Sequence, residues 1–578
     1  MKKKKWVCLA LSVMMVVSVI LSGCGKKSDG GKTKEGKEAA GNELAGNPAA
    51  EAGNVLRYIC TAPPGVFNGI LYTATYDQYI CDMVFNRLLN YDSETMDFKP
   101  ELAESWEVDE ENNTVTMHIR KGVQIHNDLG ELTAEDVAFT LQMLCCPEYD
   151  GPRYSNFANI VGAAEYKSKT ADTITGITLY TKAPEDPLDV VYSDEEEDPY
   201  KITLEFAPFT TSNLHAMTGY ILPRAYYDVD SYDEFVALNL KPVGTGPMVF
   251  NQYVIDQYVE LDKNENYWDG APKLDKVIYQ CVSDDARIAT MQSGAADICE
   301  VRNVDEDLVQ IDEMNFVTVD SVQGNTFAFI RFRMDQELMQ DIRIRQALAY
   351  AFDRAGFVES YTGGRSTLTY APAPKDAGAY PSEDEGMYPY DPDKAAELLD
   401  EAGWKLNESD GYRYKDGKKL TLNYTGISEN KNDSMKTAVM IENYKAVGIE
   451  LIATFYDWAT YMDTVRTDDK THIYGYAWSM SPDNYQNAVL FQKGSLLNDG
   501  QYDNPEYDTL LEEARVELDV DKSNELYKQC FHILNEDVPV IYMNDYTTPW
   551  VINNRVKNVI VSTFLPWTYN IKNIEIVQ

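Results

Sequence analysis

The sequence predicts an α/β protein of two lobes that close on a cleft. Three observations lead there. From Asn54 onward, strand-like alternation and helix-like apolar stripes are mixed along the chain. About 525 residues follow from that point, more than one hydrophobic core supports, since single cores stop growing near about 250–300 residues. No long linker divides them, so two lobes joined by more than one chain crossing satisfy both facts. Folds of that kind hold ligand between the lobes.

The elements follow in chain order. Lys2, Lys3, Lys4 and Lys5 form a basic start, and Trp6 to Leu21 is an apolar run. It is short of the roughly 20 residues that a membrane span needs and is read as the core of a secretory signal peptide. Leu21-Ser22-Gly23-Cys24 then looks like a bacterial lipobox, whose cysteine is lipidated and becomes the new N-terminus. The chain is therefore expected on the extracytoplasmic face of the cell membrane, held by lipid on Cys24. Residues 24–53 carry no aromatic residue and are rich in Gly, Ala, Lys and Glu; they are expected to be a flexible linker with a reach of roughly 30 Å. Gly31-Lys32-Thr33 resembles the end of a phosphate-binding loop, but Lys26 stands where that motif needs glycine and no strand precedes it.

Formal charge is -42, and removing residues 1–23, with four lysines and no acids, takes it to -46 (-42 - 4). A surface this acidic excludes nucleic acid, whose binding rests on Lys and Arg neutralising phosphates. Seven of the nine cysteines lie beyond Cys24, too few for a disulfide framework in a chain this long. Cys145-Cys146 is read as half-buried on a helix rather than bonded. The five histidines have no metal-ligand spacing. Nothing calls for a metal or a cofactor. The acidic run Asp194–Asp198 lacks the glycine and spacing of a calcium loop and is read as a solvated turn.

Thr114 to Arg120 alternates with Val115, Met117 and Ile119 on one face, a strand. Thr133 caps a helix with Asp136 three residues on, and Val137, Leu141 and Leu144 share a face. Asp391-Pro392 opens a second helix with the stripe Ala395, Leu398, Leu399, Ala402 and a stop at Gly403. Asn504-Pro505 repeats the device ahead of Tyr507, Leu510, Leu511 and Ala514. These stripes are core.

Leu102-Ala103-Glu104-Ser105-Trp106-Glu107-Val108 leads through the alternating strand to Arg120-Lys121-Gly122-Val123, His126 and Leu132-Thr133-Ala134-Glu135-Asp136-Val137. Pro242-Val243-Gly244-Thr245-Gly246-Pro247, Asn266-Tyr267-Trp268, Gln292-Ser293-Gly294, the run Asp341 to Arg354 and Tyr390-Asp391-Pro392 follow in order. In content and order these stretches resemble the extracellular solute-binding protein family 5, the substrate-binding lipoproteins of oligopeptide and dipeptide ABC importers. The resemblance implies a bilobal periplasmic-binding-protein-like clamp, type II and cluster C-like, with an extra subdomain in lobe I. It places lobe I at 54–322 with its subdomain at about 90–220, lobe II at 323–540, and a return to lobe I at 541–578. It further implies a monomer that hands its ligand to an ABC permease and ATPase complex. Most signature residues, Trp106 and Arg345 among them, are read as scaffold, and Gly244 and Gly246 as a turn needing positive φ or close backbone approach.

By the same resemblance, the loop Thr61 to Phe67 faces the cleft from lobe I, which nominates Phe67. Tyr474 to Asn484 resembles the family's tryptophan motif in lobe II and nominates Tyr476, Trp478, Ser481, Asp483 and Asn484. Many peptide-binding members carry an aspartate three residues after that tryptophan, paired with the ligand's α-amino group. Here the place is Ser481, which accepts a hydrogen bond but brings no charge, and Asp483 is the nearby acid. The departure leaves oligosaccharides, modified peptides and metal chelates open beside free peptides. Trp458 is either a ligand wall or packing under a strand–helix loop. A surface receptor would use the same fold. An exported hydrolase would need a nucleophile beside a base or a bound metal, and the sequence shows no G-x-S-x-G elbow, zinc-protease helix or Cys/His pair for it.

Overall fold

Two strands much longer than the rest, Val317–Phe332 and Val540–Asn553, pair antiparallel at the centre of a ten-stranded sheet. The computed structural model describes residues 46–49 and 53–577 apart from 194, 196, 376 and 429; the signal segment and Cys24 lie outside the described residues. On one side of the long pair lie Ile298–Glu300, Val55–Cys60, Lys276–Cys281, Tyr258–Lys263 and Met248–Val254; on the other lie Ile473–Ser479, Thr421–Ile427 and Glu450–Tyr456. The two halves bury separate cores. One gathers Leu56, Tyr58, Val277 and Tyr279 with Trp550 and Trp567 from the C-terminal end. Beyond the long pair, the strand alternation sends Ile330 and Phe332 into a core with Leu348, Leu399 and Leu422, and Phe327 and Phe329 to the other face with Tyr507, Phe531 and Tyr542. The chain is thus bilobal, with one continuous sheet running through both lobes.

A five-stranded sheet, Ala103–Asp109, Thr114–Ile119, Asp198–Glu205, Ile174–Tyr180 and Val190–Tyr192, extends lobe I and shares its core through Val115, Met117 and Ile119. Helix Ala134–Cys145 lies on it, capped by the expected box of Thr133 and Asp136. Pro392–Glu401 and Pro505–Val516 are helices capped by Asp391 and Asn504, with Leu399, Leu511 and Ala514 buried. The seven cysteines of this region are free. The C-terminal end is locked to lobe I by Arg555, whose Nε and Nη2 meet both oxygens of buried Asp297 at 2.7 and 2.8 Å.

The end of the expected linker is not free. Asn47 is buried with its amide on Asn553 Oδ1 at 2.6 Å, and Ala49 is buried beside Gly294, where any Cβ would strike Pro48 and Ala49 backbone within 3 Å. A complementary amide at Asn553 gives this stretch a seat that its composition does not announce. Gly244 and Gly246 have ordinary negative φ, and close approach is their reason: an added Cβ would lie 2.1 and 2.7 Å from the Val84 carbonyl oxygen.

The same turn is pinned by buried His126. Gly244 N–H donates to its Nδ1 at 3.4 Å, and Nε2 donates to the Gly246 carbonyl at 2.9 Å, which requires the neutral ring. Burial holds its pKa down to about 4. The unfolded ring protonates near about 6.5, so the unfolded chain binds more protons as pH falls below that value, and stability present above it is lost on the way down to about 4. The expected loss is about 3 kcal/mol at most. Burial pushes Asp136 and Asp545 up to about 6, which acts with the opposite sign. The check is therefore a difference: urea denaturation from pH 7 to 4 should show wild type losing more stability than His126→Gln, and parallel curves would refute the assignment.

Candidate functional site

Between the lobes lies a cavity of about 1140 Å³. Its lobe I wall begins at Tyr72 and Thr73 and runs along helix Thr75–Val84 through Thr75, Gln78, Tyr79 and Asp82. Arg87, Tyr91, helix Thr211–Ala216 with His215, Glu300, Trp550 and the segment Ser562 to Pro566 complete that side. Lobe II supplies Ser479 to Asp483, Tyr485, Gln486 and Arg515.

The floor is where the long strands part. Their pairing shifts register between Gln323 and Phe327, and Gly324, Asn325 and Thr326 line the cavity there. Asn325 stays linked to lobe II, its carbonyl accepting from Met480 N–H at 2.5 Å. Gly324 is left out of the ladder with Val540–Asn553. A sheet interrupted at a cavity offers main-chain donors and acceptors to an extended ligand, the way a peptide adds to a strand edge.

Charge in the cavity is largely neutralised from within. Arg87 pairs with buried Asp82, which also accepts from the hydroxyls of Tyr220 and, at 2.8 Å, Thr568. Arg515 is held by Glu512 at 2.6 Å. Glu300 accepts only from hydroxyls among its side-chain partners, Tyr79 at 2.9 Å and Tyr58 at 3.4 Å, and burial raises its pKa. Asp483, 4 % exposed, caps the turn Asn484–Ala488 by accepting Tyr485 N–H at 3.0 Å. His215 bonds Tyr91 through Nδ1 at 2.8 Å, and burial lowers its pKa, against the opposing pull of Asp483. Among the described residues, Glu300 and Asp483 are the acidic residues of the cavity wall without a direct ion pair.

The seven nominated residues divide. Ser481 and Asp483 line the cavity, and Asn484 lines a smaller chamber next to it. Ser481 is already used locally: its N–H and carbonyl meet the Asn487 amide, each at 2.8 Å, and its Oγ accepts Asp483 N–H at 3.1 Å. Phe67 has no exposed surface and packs against Tyr253 and Phe250. Its loop turns inward because Gly65 and Val66 N–H both donate to Asp77 Oδ1. Trp478 sits opposite Phe327 across the strand pair and packs with it in the lobe II core, while the next pair, Thr326 and Ser479, lines the cavity. Tyr476 is half-buried, its hydroxyl on Asp499 at 3.1 Å and its ring edge-on to Phe329. Trp458 is 54 % exposed and stacks on Tyr461 away from the cavity.

Sequence reasoning missed Tyr79, His215, Glu300 and Trp550. The first three had no motif around them, and Trp550 reaches the site only because the chain returns to lobe I. Among the described residues no cluster of three His, Cys, Asp or Glu side chains is placed for a metal, and no helix is long and apolar enough to cross a membrane.

Comparison with known proteins places this architecture. The chain is 27% identical to the oligopeptide-binding protein AppA of Bacillus subtilis, over 94% of each chain. It is 27% identical to the heme-binding protein A of Haemophilus influenzae, over 96% of this chain and 97% of that one. The structure of B. subtilis AppA in complex with a nonapeptide superposes with a TM-score of 0.68 at 24% identity, covering 91% of this chain and 99% of that one. Residues 97–496 match bacterial extracellular solute-binding proteins, family 5 middle. The family consists of substrate-binding proteins, not enzymes, and the chain belongs to it.

Proposed function

We propose that this chain is the substrate-binding lipoprotein of an ABC importer, capturing an oligopeptide-like solute between its lobes and delivering it to the permease and ATPase. The observation that carries this is the cavity floor. Main chain at Gly324 and Asn325 leaves the ladder inside a space of about 1140 Å³, beyond the roughly 300–1,000 Å³ of a drug-sized site. An extended backbone satisfies such a floor along its length. The named relatives with oligopeptide ligands support the same reading. Native mass spectrometry of the purified chain should show co-purifying peptide masses. A hexose ladder in their place would move the assignment to oligosaccharides.

Attachment to the membrane is part of the proposal, through lipid on Cys24 after the Leu21-Ser22-Gly23 sequence. Cys24→Ala should release most of the protein from the membrane fraction, as read by fractionation and immunoblot. A mutant that still sediments with membranes would sink the lipoprotein reading.

A further inference from the structure

The main cavity does not end at Asp483. A second chamber of about 390 Å³ adjoins it, and the two share His215, Ser481, Pro482, Asp483 and the segment Ser562 to Phe564 as walls. Both lobes therefore build the throat between them. Beyond it, Glu94 and Asp97 join Asp483 as acidic residues of the chamber's wall, and among the described residues no lysine or arginine lines it. Met96, Phe98, Pro374, Val520 and Tyr527 supply its apolar surface. A ligand carboxylate would meet like charge here, whereas a cation on an apolar stem would meet opposite charge and apolar surface for its stem.

Asp483 stands at the narrow point with a side chain suited to that role. It is 4 % exposed, and among the described residues its side-chain hydrogen bond is the helix cap at Oδ1. The facing His215 spends Nδ1 on Tyr91, and burial lowers its pKa, so at neutral pH it brings no rival positive charge.

We infer that the chamber beyond Asp483 is a second subsite, receiving the positively charged end of an oligopeptide whose body lies in the main cavity. This rests on the peptide reading above and narrows it: favoured ligands carry arginine or lysine at the end that passes the throat. A single charge-assisted contact to a buried carboxylate makes the preference about tenfold or more.

The test is competition, read by native mass spectrometry, between random pentapeptides and the same library extended with two amino-terminal arginines or two glutamates. Wild type should enrich the arginine-extended library about tenfold or more and exclude the glutamate one. Ala377→Trp, which fills the chamber without touching the main cavity, should retain the short library and lose the preference. Should that variant fail to fold by circular dichroism, Val520→Trp, at an exposed point of the chamber wall, serves in its place. Asp483→Asn keeps the helix cap and should reduce both the preference and its salt dependence. Equal retention of all three libraries, or a preference that survives the filled chamber, overturns the subsite while leaving peptide binding intact. Retention of no peptide at all overturns the peptide reading and the subsite together.

Discussion

Asp499→Ala should cost about 3–5 kcal/mol of unfolding free energy, the toll of stripping the partner from a buried charge. Arg331 is 1 % exposed and meets Asp499 Oδ1 at 2.6 Å; the same carboxylate accepts from Tyr474 at 2.7 Å and Tyr476 at 3.1 Å. Without it, no carboxylate offsets the Arg331 charge, which is left with the carbonyls of Leu490 and Leu497 and the face of Phe491, and two tyrosine hydroxyls lose their acceptor. The damage falls in lobe II, where strand Ile473–Ser479 carries the chain to Ser481 and Asp483. Denaturation in urea, followed by circular dichroism, should show a midpoint far below wild type. A change of less than about 1 kcal/mol would mean that water reaches the guanidinium and replaces the lost partner.

The second large effect separates two neighbours. Trp478→Ala should lower stability by about 2 kcal/mol, less than the roughly 3–5 of a fully buried aromatic because the indole is half-buried. It should leave ligand affinity nearly unchanged. Ser479→Trp should do the reverse: the side chain is exposed into the cavity, so apo stability stays near wild type while affinity falls by about tenfold or more, since a bulky ring displaces ligand contacts. Thermal melts and calorimetric titration with a peptide recovered from the native protein measure both. Trp478→Ala with intact stability and lost affinity would show that the indole swings to the ligand on closure.

This pair also shows where sequence reading reaches its limit. Trp478 drew attention as a large aromatic in a motif, and size and motif say nothing about which face of a strand it takes. The deciding fact is its register against Phe327, a residue 151 positions earlier in the chain. A shift of one position would have exchanged Trp478 with Ser479 at the cavity. Phe67 fails for a related reason: Asp77, ten residues on, pulls its loop inward through two backbone N–H groups.

Local signals were enough for the elements. Capping residues, N1 prolines and apolar periodicity marked helices Ala134–Cys145, Pro392–Glu401 and Pro505–Val516 with their buried faces, because caps and stripes are interactions within a few residues. Chain length without a linker called for two lobes, because core size is limited by surface and volume rather than by any motif. Tertiary structure alone decided which residues line the cavity. Glu300, Trp550, His215 and Asp483 come from four distant stretches and meet only because two long strands carry the chain from one lobe to the other. Their meeting depends on the register between those strands, which no stretch of sequence read by itself records.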